Sequence, residues 1–288
     1  MTRTSSKPEP GPLQFLMIVN DPDIARYVFG HGVTRLFIDL EHLGKDERQG
    51  HLDTWKSRQT PNDLSRIRDA APDAHLLVRI NPLNAGSRAE IDDVLARGAD
   101  SVMLPMFRSR DELARFVDLL AGRVEALPLV ETAGALSAVP EILRTVPLTA
   151  LHIGLNDLHL DLGMDFMFEP LAQGLLEEPC AALRQAGVPF GLGGIARAGE
   201  GLVPPEQILG EHVRLGSTAT ILSRGFHNGA ANLADLLAAN FDSEVAKLQA
   251  IYAGFNTASA AELERNRVDS ARAIEAVAAE RRHRRSAS

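Results

Sequence analysis

Two acidic residues, Glu131 and Asp157, stand at or just beyond the ends of short apolar runs, Ala126–Glu131 and Leu148–Gly154. Neighbouring strands lie about 4.8 Å apart. Carboxylates that close repel each other unless one is protonated or a cation lies between them. A hard divalent ion accepts one or two protein carboxylates and fills its other positions with water and substrate oxygen. Mg2+ or Mn2+ fits that description better than zinc, which prefers His and Cys. The structural alternative makes Asp157 a helix N-cap and Glu131 a salt-bridged rim residue, and spacing alone leaves both readings open. Arg79 ends another run, Leu76-Leu-Val-Arg-Ile-Asn81. It has the geometry to clamp a carboxylate through two parallel bonds, or to pair structurally with Asp39, Glu41 or Glu131. His42 follows Asp39 and Glu41 and serves as general acid or base where a carboxylate orients its ring. A single histidine is otherwise more often structural.

Such residues act together only if the chain gathers them. Eight apolar runs read as strands: Leu13–Val19, Arg35–Glu41, His75–Ile80, Ser101–Pro105, Ala126–Glu131, Leu148–Gly154, Val188–Leu192 and Val213–Leu222. Each is short and rich in Val, Ile, Leu or Phe, as strands buried on both faces are. Between them Asp21–Gly30, Pro61–Ala71, Arg88–Gly98, Asp111–Ala121 and Leu171–Ala186 read as helices, the last three with a glycine at or just after their ends. Alternation of this kind predicts a TIM (β/α)8 barrel, with a doubly wound sheet as runner-up. In a barrel the C-terminal strand ends converge on one face. The residues at those exits are Asn20; Asp39, Glu41 and His42; Arg79 and Asn81; Pro105; Glu131 and Thr132; Asn156 and Asp157; Gly193 and Gly194; Ser223 and Arg224. Charges at a barrel mouth must be paired, metal-bound or solvated.

The expected organisation is a tail over 1–12, a catalytic barrel over 13–228 and a helical extension over 229–288. The extension is expected to pack on the barrel or on a neighbouring subunit, and a homo-oligomer is expected. The 288 residues are 45% hydrophobic and 24% charged, which excludes disordered and collagen-like classes. A net charge of −8 offers no general attraction to nucleic acid or anionic membranes. Cys180 is the single cysteine, so internal disulfides and thiolate metal clusters are excluded. No apolar run approaches the roughly 20 residues of a membrane helix, and the N-terminus lacks an apolar signal core, so a cytoplasmic protein is expected. Imine chemistry needs a lysine in a dry site. Only Lys7, Lys45, Lys56 and Lys247 are present, and Lys45 and Lys56 are the two in a position to serve.

Two patterns compete for attention. Gly191-Leu-Gly-Gly-Ile-Ala196 fits the dinucleotide fingerprint, but it follows the seventh strand rather than the first, so it reads as a tight turn. His152, Asp157, His159 and Asp161 resemble a metal cluster, but His159 and Asp161 read as loop residues beyond the strand end.

Six segments then appear in order: Phe37-Ile-Asp-Leu-Glu-His42, Val78-Arg-Ile-Asn81, Val102-Met-Leu-Pro105, Leu129-Val-Glu-Thr132, Ile153-Gly-Leu-Asn-Asp-Leu158 and Leu215-Gly-Ser-Thr-Ala-Thr-Ile-Leu222. Together, over about residues 13 to 228, the chain resembles the HpcH/HpaI aldolase and citrate lyase beta-subunit family of the phosphoenolpyruvate/pyruvate superfamily. The resemblance implies a TIM barrel and a divalent metal. It also implies making or breaking a carbon–carbon bond beside a 2-oxo or acyl group through a pyruvate-type enolate. By position, Glu131 and Asp157 match its metal ligands. Arg79 matches the arginine that binds the substrate carboxylate, and His42 the acid/base histidine. Gly154-Leu-Asn156-Asp157 matches the segment whose backbone meets that carboxylate.

The chain also departs from the pattern. The aspartate that strengthens the histidine of the heptanedioate aldolases falls at Ala96 here, and a glutamine of theirs falls at Leu129. Arg79-Ile-Asn-Pro leans to the citrate lyase branch, which usually lacks the Glu41-His42 pair. The loop Leu43–Thr60, with Lys45, Arg48, His51, Trp55, Lys56 and Arg58, matches neither branch and is placed to cover the mouth. Alternatives to the aldolase are an acyl-CoA lyase of malyl or citramalyl type, or a barrel that binds a small anion without turnover.

Overall fold

Short runs that are apolar on both faces form a sheet covered inside and out. In the computed structural model, which describes residues 11–44 and 59–287, they are β1 Gln14–Ile18, β2 Val33–Asp39, β3 Leu76–Arg79, β4 Ser101–Leu104, β5 Glu125–Val130, β6 Leu151–Ile153, β7 Phe190–Ile195 and β8 Ala219–Leu222. All pair in parallel and β1 pairs with β8, so the ring closes as a TIM barrel. The helices are α1 Pro22–Gly30, α2 Pro61–Ala70, α3 Ser87–Ala96, α4 Arg110–Leu120, α5 Ala133–Thr145, α6 Leu155–Asp161, α7 Glu169–Ala172, α8 Glu177–Ala186 and α9 Pro205–Leu215. After the barrel come α10 Leu233–Ala238, α11 Phe241–Asn256 and α12 Ala260–Ala287.

Local chemistry starts and stops these helices. Asp21 accepts the N–H groups of Asp23 and Ile24 ahead of α1, and Pro22 follows it at the first helical position. Ser109 caps α4 and Thr132 caps α5 in the same way. Gly187 ends α8 and Gly216 ends α9 in left-handed conformation.

Alternation along the strands divides the apolar residues into two cores. Leu16, Phe37, Leu77, Met103, Leu127 and Leu129 fill the barrel interior. Leu36, Ile38, Val78, Val102, Val130 and Ile153 face outward against helix residues such as Val28, Ile67, Leu113 and Ile142. Removing one of these large side chains costs about 2–5 kcal/mol.

Several expectations need correction. Val213–Leu215 belongs to α9, because Gly216 turns the chain and the strand begins only at Ala219. The glycine-rich stretch is strand β7 rather than a turn. A Cβ at Gly191 would fall 2.2 Å from His152 Nδ1, so packing against that ring demands glycine there. Leu171–Ala186 divides into the end of α7, a turn and α8. His159 and Asp161 lie within helix α6, not in a loop.

The extension packs on its own barrel, α11 against α9 and α12 against α9 and α7. Ile274 and Ala278 are fully buried, and Tyr252 donates to the Ser217 carbonyl at 3.0 Å. Gln249 of α11 clasps the start of the barrel, accepting from Leu13 N–H at 3.1 Å and donating to Leu13 O at 2.6 Å. Among the described residues no helix is long and apolar enough to cross a membrane.

Candidate active site

The strand period of two carries the inner core outward into the mouth. Two residues beyond Phe37 stands Asp39, beyond Leu77 stands Arg79, and beyond Leu129 stands Glu131. Asp39 and Arg79 are register partners across β2 and β3. Arg79 Nε and Nη2 donate to the two Asp39 oxygens, each at 2.9 Å, and Glu41 lies 3.5 Å from Nε. Beneath them the Phe37 ring centroid is 5.5 Å from the guanidinium. Burial alone would lower the Arg79 pKa, but Asp39, with Glu41 and Glu131 behind it, raises it above the ordinary arginine value. Asp39 itself is fully buried, and its N–H donates to Gln59 Oε1 at 2.8 Å. Gln59 in turn donates to the Val19 carbonyl at 2.6 Å, tying the exits of β1 and β2 together. Arg79 is thus held by a structural partner, as one reading expected. Among the described residues its Nη1 has none, which leaves that nitrogen for a ligand.

Glu131 is buried, and its Oε1 accepts the Met106 N–H at 3.1 Å. Met106 sits in the left-handed region at φ 56, an uncommon place for a residue with a side chain. Gly154 admits the same carboxylate from the other side, since a Cβ there would lie 3.0 Å from Glu131 Oε2. Asp157 is buried in the first turn of α6. It is not the N-cap, because Gly154 occupies that position. Glu131 has no ion pair among the described residues, so the salt-bridged rim reading also fails. Burial, then the Asp157 charge, raise the Glu131 pKa well above the carboxylate range; Arg79 pulls the other way, Glu41 adds a smaller push and the Met106 N–H a smaller pull. Among the described residues, the charges acting on Glu131 are two carboxylates, Asp157 and Glu41, against one arginine, Arg79. A cation held by Glu131 and Asp157 relieves both burial and repulsion, so this pair fits a hard divalent ion. Among the described residues no group of three or more His, Cys, Asp or Glu side chains is arranged for a metal.

Asn156 is half-buried beside Asp157 in the same turn, where helix geometry leaves the leading N–H groups without internal acceptors. His42 is exposed just past β2. Asn81 Oδ1 fixes its backbone by accepting from the N–H groups of His42 at 2.8 Å and Leu43 at 2.9 Å. Glu90 holds Asn81 in turn, accepting from its Nδ2 at 2.7 Å. Among the described residues no carboxylate bonds to the His42 ring. Ala96 ends α3, a helix that runs back from the mouth to the far end of the barrel, so that position is not beside His42. Lys45, Arg48, His51, Trp55, Lys56 and Arg58 of the covering loop lie outside the described residues.

Sequence reasoning missed Gln59 and Met106. Nothing in their types or spacing marked them, because both act through bonds to residues distant in the chain. Asp39 was legible as an exit residue, and strand alternation would have aimed it at Arg79.

A closed parallel barrel with charged residues gathered at its C-terminal strand ends has the layout of the TIM-barrel class. The family model for HpcH/HpaI aldolase/citrate lyase matches residues 15–170, more than half of the chain, and the chain belongs to that family. Membership implies lyase-type chemistry. No curated protein matches the chain. Among solved structures, an HpcH/HpaI aldolase from Desulfitobacterium hafniense is 19% identical, covering 74% of this chain and 86% of its own with a TM-score of 0.57. An HpcH/HpaI aldolase/citrate lyase family protein from Burkholderia cenocepacia is 18% identical, covering 82% and 94% with a TM-score of 0.59. Citrate synthase SbnG is 16% identical, covering 82% and 94% with a TM-score of 0.57. At these identities the likeness speaks for the fold.

Proposed function

We propose that the chain is a carbon–carbon lyase or aldolase of the metal-dependent type, acting on a 2-oxo acid whose pyruvate-like half passes through an enolate. The observation that carries this reading is the buried Glu131–Asp157 pair beside an arginine preset by Asp39. A divalent cation, Mg2+ or Mn2+, bound by Glu131 and Asp157 would supply fixed positive charge where negative charge grows on the 2-oxo oxygen. Arg79 binds the substrate carboxylate through Nη1, and Asp39 keeps the guanidinium from turning away. Leu155 and Asn156 offer first-turn N–H groups to the same carboxylate. In the cleavage direction His42 takes the proton of the hydroxyl on the carbon that departs. That C–O becomes a carbonyl, and the electron pair of the broken C–C bond enters the enolate, which then takes up a proton. No lysine is required.

Mg2+ should raise the melting temperature of the wild type, and Glu131→Gln should remove the rise. Saturation a hundredfold above Kd corresponds to about 2.7 kcal/mol. An equal rise in the variant would refute the ligand assignment. Oxalate, a mimic of the enolate, should bind with Mg2+ and lose about tenfold or more on Arg79→Ala. Unchanged affinity would make Arg79 purely structural.

A further inference from the structure

One group of cations takes no part in this scheme. Arg197 lies two residues past the end of β7, and Arg224 two residues past β8. The strand exits are joined where Ser223 N–H donates to the Ile195 carbonyl at 2.9 Å. Arg197 is only 8% exposed. Its Nε donates to the Phe226 carbonyl at 2.5 Å, and its guanidinium lies 5.8 Å from the Phe226 ring centroid. Its Nη2 is buried without a partner, as is Nδ1 of the next residue along, His227. Arg224 is exposed, and among the described residues neither arginine pairs with a carboxylate. Arg224 also feels Asp39 and Arg79, which places its charge over the mouth. Burial, then Arg224, and more weakly Arg197, lower the pKa of His227, so the three groups form one electrostatic unit.

Unpartnered buried donors or acceptors cost about 1–3 kcal/mol each. Two of them, together with an unpaired arginine at the rim, make a charge arrangement that folding does not need. Guanidinium forks match the oxygens of carboxylate and phosphate. In parallel barrels the loops after the seventh and eighth strands are a frequent seat for anions.

We propose that Arg224, Arg197 and His227 form a subsite for a second anionic group, a carboxylate or a phosphate, on the part of the substrate remote from its 2-oxo acid end. This rests on the function proposed above, because it places the 2-oxo acid at Arg79 and Glu131. The substrate is then doubly anionic and stretches from β3 and β5 across the mouth to the β7–β8 rim.

Titration calorimetry on the full chain at fixed ionic strength tests this, with inorganic phosphate and succinate as separate probes and oxalate with Mg2+ as the probe of the first site. Wild type should bind phosphate or succinate, and the stronger of the two identifies the class of group. Arg224→Ala and His227→Gln should each weaken that binding, Arg224→Ala by about tenfold or more. Arg26→Ala, at an exposed arginine on α1, should not. Oxalate affinity should be equal in wild type and Arg224→Ala. The proposal is overturned if wild type binds neither anion or if Arg224→Ala binds them unchanged. Loss of oxalate binding in Arg224→Ala also overturns it, by making Arg224 part of the first site. If oxalate fails on wild type while the anion still depends on Arg224, the subsite stands and the proposed function falls.

Discussion

At the N-terminal end of the barrel Arg35 meets Glu125 at 2.6 Å, and Thr149 adds a bond to the same carboxylate at 3.3 Å. Arg68 pairs with Asp100, which also accepts the Leu76 N–H at 2.7 Å. A cavity of about 180 Å3 opens there, but its lining charges, Arg35 and Glu125, neutralise each other. At the C-terminal end Asp39, Glu41, Glu131 and Asp157 share the mouth with Arg79 and Arg224, and among the described residues the carboxylates nearest Glu131 raise its pKa more than Arg79 lowers it. The same eight strands thus end in a matched ion pair on one side and, around Glu131, in a cluster of buried carboxylates on the other. The clustered carboxylates mark the site better than the cavity does, because a matched ion pair serves folding while like charges crowded around the buried Glu131 do not.

That contrast is open to attack. Glu131→Gln should lower turnover on the order of a thousandfold, as loss of charge stabilisation does. Its melting temperature without metal should hold or rise, since a costly buried charge is removed. A variant that lost stability instead would make Glu131 a structural residue like Glu125. Asp39→Asn should raise KM or the oxalate Kd by about thirtyfold, the loss of a charged hydrogen bond that positions Arg79. Unchanged binding would detach Asp39 from the site. Arg35→Ala should cost about 2 kcal/mol in urea unfolding by stranding Glu125, while kcat stays level. A fall in kcat with stability intact would erase the difference between the two ends.

The smallest effect concerns pH. Burial lowers the pKa of His152 to about 4, and burial with the nearby His152 lowers that of His212 to about 3. The unfolded chain takes up these protons near pH 6.5, before the folded protein does. Stability from these residues is therefore complete above pH 6.5 and is lost as pH falls through about 4 for His152 and about 3 for His212. His212→Asn should flatten the dependence of the urea midpoint in that window. An unaltered slope would show that His212 is not held neutral.

Strand positions were legible because each apolar run serves two cores at once, which leaves a dense signal. The eighth was misplaced at its start. Val213 and Leu215 form the buried face of a helix, and apolar residues alone do not separate that from a strand until Gly216 is given its role as stop. Glu131, Asp157 and Arg79 were legible as charges ending apolar runs. The left-handed turn at Met106 and the Gln59 bridge were not, since both are set by acceptors far along the chain.

The clasp between Gln249 and Leu13 bears on how the protein is made. A ribosome delivers the first strand long before the helix that holds it, so the nascent barrel waits with its seam unlatched until the last sixth of the chain has emerged. Premature termination before that helix would release a ring in which the seam between first and last staves is held by their own strand pairing, without the latch.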